Sequence, residues 1–66
     1  MNTKNAIAKA IDERTAALEA LKQRSLQVRD AIHSLFVAKI RLFEGGTVAM
    51  DEARAVLEST AWLIED

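Results

Sequence analysis

The chain has no cysteine and no proline, only two glycines, which are adjacent, and one histidine among 66 residues. Without cysteine there is no disulfide framework and no thiolate metal cluster, and His33 alone cannot build a protein zinc site within one chain. Aromatic residues make up 5% of the chain, too few for base-stacking platforms of the kind that bind single-stranded nucleic acid. No charge of one sign dominates. Nine Lys/Arg against ten Asp/Glu give a net charge of −1, so the whole molecule has no electrostatic pull toward nucleic acid or an anionic membrane. Long apolar runs are missing as well. Lys9, Asp12, Glu13 and Arg14 interrupt the first twenty residues, and no stretch reaches the roughly 18 apolar residues of a spanning helix. A soluble, cytoplasmic protein without a membrane partner is the default expectation.

What is present is a helix-forming composition. Hydrophobic residues make up 50% and charged residues 29% of the chain, a balance that suits a folded globular or coiled-coil protein. From about Asn5 to Glu44 there is no glycine or proline, and Ala, Leu, Lys, Arg, Glu and Gln abound. Gly45 and Gly46 are the one strong punctuation mark. Gly45 suits a left-handed helix stop, Gly46 a turn, and Thr47 the cap of a second helix. The expected fold is therefore a single all-α domain over residues 1–66. It is a helical hairpin with a long first helix (about 5–44), a Gly-Gly turn (45–46) and a short second helix (about 48–65). At 1.5 Å per residue the first helix spans about 60 Å and the second about 25 Å.

The first helix carries a seam. Ile7, Ile11, Arg14, Leu18, Leu21, Ser25, Val28, Ile32, Leu35, Lys39 and Leu42 alternate in steps of four and three, the coiled-coil period, and eight of the eleven are apolar. A short return helix cannot cover it all, so a second copy is expected to do so, giving a homodimer with a coiled-coil or four-helix-bundle-like core. Ile7, Ile11, Leu18, Leu21, Val28, Ile32, Leu35 and Leu42 would carry the contact, with Val56 and Leu63 from the second helix. Ala10, Ala17, Ala31 and Ala38 beside the seam favour antiparallel pairing slightly, and neither direction is decided. From Leu26 onward the first helix is apolar on two sides: Val28, Ala31, Ile32, Leu35 and Leu42 on one, Leu26, His33, Val37 and Ile40 on the other, Phe36 and Phe43 between. Two apolar sides call for two covers.

Candidate chemistry is sparse. Asp12-Glu13 and Asp51-Glu52 read as surface or helix-end charge, Ser25, Ser34 and Ser59 lack a nucleophile elbow, and His33 reads as a partly buried packing residue. No enzyme activity, cofactor or metal is expected. Binding residues are easier to suggest. Trp62 lies off the inner stripe of the second helix, formed by Met50, Ala53, Leu57, Thr60, Ala61 and Ile64. It shares its side with the small shelf of Val48, Ala55 and Ser59. It either folds against its own dimer or anchors a partner, tryptophan being enriched at interface hot spots. Residues 1–43 are net +4 and residues 44–66 net −5, and Lys22, Arg24 and Arg29 form a basic waist that could steer an acidic protein. Nucleic acid is the less favoured target, since no clustered base-reading face is present.

The long helix ending in RLFEGG, followed by TVAMDEARAVLESTAWLIED, resembles the small all-helical phage-encoded quorum-sensing anti-activators. That resemblance implies a protein that binds and inhibits a host LuxR-type transcriptional activator, and one able to inhibit a pilus assembly ATPase. It assigns no individual residue a role. The alternative is a structural or assembly adaptor that scaffolds a larger complex, and a nucleic-acid-associated regulator comes third.

Overall fold

The computed structural model describes residues 3–22 and 25–64. Three helices follow one another: α1 (Thr3–Glu19), α2 (Leu26–Glu44) and α3 (Thr47–Thr60), with a single 3-10 turn, Ala61–Leu63, closing α3. The all-α class holds, but the two-helix hairpin does not. The expected first helix is two helices of 17 and 19 residues, comparable with the 14 of α3. The Cα trace is 34 Å in its longest dimension, which leaves no room for a continuous helix of about 60 Å.

The break has a local cause and a global one. Locally, Ser25 takes an extended conformation (φ −66°, ψ 168°) and caps α2, its hydroxyl accepting from the Val28 N–H at 3.3 Å while its carbonyl accepts from Arg29 N–H at 3.1 Å. A serine cap of this kind is worth about 1 kcal/mol over alanine. On the other side α1 tightens as it ends, with Leu21 N–H donating to Leu18 O at 3.2 Å. Globally, folding back lets the two halves of the seam bury each other. Ile7, Ile11 and Leu18 on α1 join Val28, Leu35 and Leu42 on α2 in one core with Ala53 of α3. Ile11, Leu18, Leu35 and Leu42 are the largest fully buried side chains. Burying a leucine or isoleucine contributes roughly 1.5–3 kcal/mol, so several of them outweigh the mild helix propensity of the few residues in the break.

The second junction is tighter, and its glycines act differently from expectation. No described glycine has a positive φ. Gly45 is extended (φ −98°, ψ −177°), and its N–H donates to Arg41 O at 2.7 Å. Its value is space: a Cβ there would stand 2.7 Å from the Ala49 Cβ and 3.0 Å from the Arg41 carbonyl. Gly46, rather than Thr47, is the N-cap of α3, its carbonyl accepting from Ala49 N–H at 3.0 Å, and Thr47 is the first helical residue. α3 then packs on both other helices through small buried residues, Ala49, Ala53 and Thr60, with Met50, Val56, Leu57 and Leu63 half-buried around them.

Candidate interaction surfaces

The three polar positions that interrupt the seam each hold the bundle together. Ser25 starts α2, as above. Lys39 forms an ion pair with Asp12 at 2.7 Å, joining α2 to α1. Arg14 reaches the C-terminal end of α3, where its guanidinium donates to Leu57 O at 2.7 Å and to Thr60 Oγ1 at 3.1 Å. The Thr60 hydroxyl in turn donates to Val56 O at 2.8 Å, so this buried side chain is satisfied on both sides. A cation against the last carbonyls of a helix also meets the negative end of its dipole. At the opposite end of the bundle Lys4 Nζ donates to Gly45 O at 3.4 Å. These bonds place the end of α1, the start of α2 and the end of α3 together at one end.

The residues expected to serve self-association lie inside one chain. Ile7, Ile11, Leu18, Val28, Leu35 and Leu42 are buried, and Leu21, Ile32, Val56 and Leu63 are half-buried against the same core. Of the suggested binding residues, Val48 is 70% exposed and Trp62 56%, while Ser59, Lys22 and Arg29 are also exposed. Arg24 lies outside the described residues. Val48, Ala55 and Ser59 are spaced seven and four apart, which puts them on one outward stripe of α3, and Trp62 follows in the 3-10 turn. The basic residues are not a waist. Because the chain folds back between Glu19 and Leu26, Lys22 sits at the end of the bundle that also carries the exposed Leu26, Trp62 and Ile64, and Arg29 lies in the first turn of α2.

His33 is exposed rather than partly buried. It shares the outward face of α2 with Phe36 (61% exposed), Ile40 (44%) and Phe43 (52%). The two-sided character of this helix was readable in its apolar positions; that both other helices cover the same side was not. Arg41, Glu44, Gly45, Gly46, Val48, Ala49 and Glu52 line an open cleft of about 360 Å³ at the second junction, spanned by an Arg41–Glu52 contact of 3.6 Å. It offers no assembled set of reacting groups. Among the described residues no cluster of His, Cys, Asp or Glu could hold a metal, and no helix is long and apolar enough to cross a membrane.

No family model matches the chain, and no curated protein or solved structure matches it either.

Proposed function

We propose that this protein acts without catalysis, by occupying the surface of another protein and blocking it. The observation that carries this reading is the half-exposed Trp62 at the end of a stripe that also exposes Val48, Ala55 and Ser59. An indole beside small side chains presents a large apolar surface with a single N–H donor and costs little entropy to immobilise, the profile of an interface anchor. Leu26 and Ile64 extend the apolar area at that end, and Lys22 adds a cation that steers an acidic partner. Blocking needs nothing more than a rigid face and roughly 1,200–2,000 Å² of total buried area. The whole-chain resemblance in size and alanine-rich composition to phage anti-activators makes a LuxR-type transcriptional activator the first partner to test.

Titration of such an activator bound to its DNA tests both parts. The wild-type protein is expected to release the activator from DNA. Trp62→Ala should weaken that effect about 30-fold, the equivalent of about 2 kcal/mol, while helicity is unchanged. An activator that stays on DNA at saturating protein rejects this partner, and equal potency of Trp62→Ala rejects the anchor.

A further inference from the structure

The exposed face of α2 is a second seam. Leu26, Arg29, His33, Phe36, Ile40 and Phe43 alternate in steps of three and four and all are exposed, while the buried face of the same helix points into the bundle. We infer that this face is the contact between two copies of the chain, paired antiparallel about a two-fold axis.

The stripe is complementary to itself in one direction only. Its positions are symmetric: turned end for end, Leu26 meets the partner's Phe43, Arg29 meets the partner's Ile40, and His33 meets the partner's Phe36. Like-charged members are thereby kept apart, since Arg29 does not face the partner's Arg29 nor His33 the partner's His33. The charges at the ends agree. Arg29 stands near the start of the stripe and Glu44 borders its far end, one turn beyond Ile40, and among the described residues neither belongs to an ion pair. Antiparallel pairing brings each Arg29 within a turn of the partner's Glu44, whereas parallel pairing sets Arg29 against the partner's Arg29 and Glu44 against the partner's Glu44. Direction follows from sign.

Area sets the strength. Large apolar side chains that are 73% (Leu26), 61% (Phe36), 44% (Ile40) and 52% (Phe43) exposed are an unusual concentration on one helix. Together they offer on the order of 400 Å² per copy, hence roughly 800–1,000 Å² in total, below the standard size of specific interfaces and in the range of weak, transient ones. The dimer is therefore expected to be weak and reversible, in the micromolar range or above. Leu26 borders both surfaces, but Phe36 and Phe43 lie on this face alone and Trp62 on the other alone, so substitutions at these three positions separate the inference from the proposed function.

Sedimentation across a concentration series is the test. The wild-type chain is expected to shift from monomer to dimer as concentration rises from the micromolar range toward about 500 μM. Phe36→Ser and Phe43→Ser should each raise the midpoint at least tenfold with circular dichroism unchanged, and Trp62→Ala should leave it in place. Arg29→Glu and Glu44→Lys should each weaken the dimer, and the double variant R29E/E44K should recover it. A wild-type chain that stays monomeric up to about 500 μM overturns the inference, as does a dimer indifferent to both phenylalanine substitutions. If the double variant is no better than the singles, the antiparallel register is wrong.

Discussion

Leu35 and Phe36 are neighbours in sequence, similar in hydrophobicity, and opposite in fate: Leu35 is fully buried and Phe36 is 61% exposed. The difference belongs to the faces on which they stand. A step of about 100° along α2 takes the chain from the side covered by α1 and α3 to the side covered by neither. On the inner side Val28, Ala31, Leu35, Ala38 and Leu42 repeat as large, small, large, small, large, which lets two helices approach closely. On the outer side the large residues have no small ones alternating with them and no helix to receive them. Apolar character alone does not make a core residue in this chain; cover does.

The largest effect is expected where cover is complete. Leu35→Ala should cost about 2–5 kcal/mol, because the side chain is fully buried in a core drawn from all three helices, and urea unfolding monitored by circular dichroism measures it. For a chain of this size that lowers Tm by some ten degrees or more. A loss below 1 kcal/mol would mean the inner face is not packed as described. Arg14→Met comes next. It preserves much of the side chain's volume but removes the bonds to Leu57 O and Thr60 Oγ1, and should cost about 1–3 kcal/mol in the same assay, with the end of α3 opening first to amide hydrogen exchange. If Arg14 is only a tolerated surface cation, stability will not move. The smallest effect is expected next door to the largest. Phe36→Ala, measured in dilute solution, should change stability by less than about 0.5 kcal/mol. A cost approaching that of Leu35→Ala would erase the distinction between the two faces.

Much of this was legible in the residues. The helical class, the junction at Gly45-Gly46, the inner stripe of α2, most of that of α3 and the two-sidedness of α2 follow from composition and spacing. Ile64, expected on the inner stripe, is however 39% exposed, and Ala49, not expected there, is buried. The break between Glu19 and Leu26 was not legible, for a specific reason: residues 20–25 hold neither glycine nor proline, and the three-four spacing of the seam runs through them without a slip. A seam in unbroken register is satisfied equally by a second chain or by its own other half folded back on it, and periodicity alone does not separate these. The signal lay in the exceptions. Ser25 is a capping residue, Arg14 is a cation suited to a helix C-terminus, and Lys39 is a partner for Asp12. Each looked like a flaw in a coiled coil and is a fastening in a bundle. Gly45 taught a smaller lesson of the same kind, since its role is the close approach of Ala49 rather than a left-handed turn. The exposed residues Trp62, Val48 and Ser59 lie on the outward side that their spacing indicated. Lys22 and Arg29 were misplaced with the long helix that was to carry them.

The packing of α1 back on α2 underlies every surface described above, and one distance measures it. The chain contains no cysteine, so spin labels at Ala6→Cys and Glu44→Cys, both on exposed positions, report a single separation by pulsed electron resonance in dilute solution. Adjacent packed helices with label linkers predict roughly 10–25 Å. A peak near 57 Å, the length of an unbroken helix between those residues, would contradict the three-helix bundle.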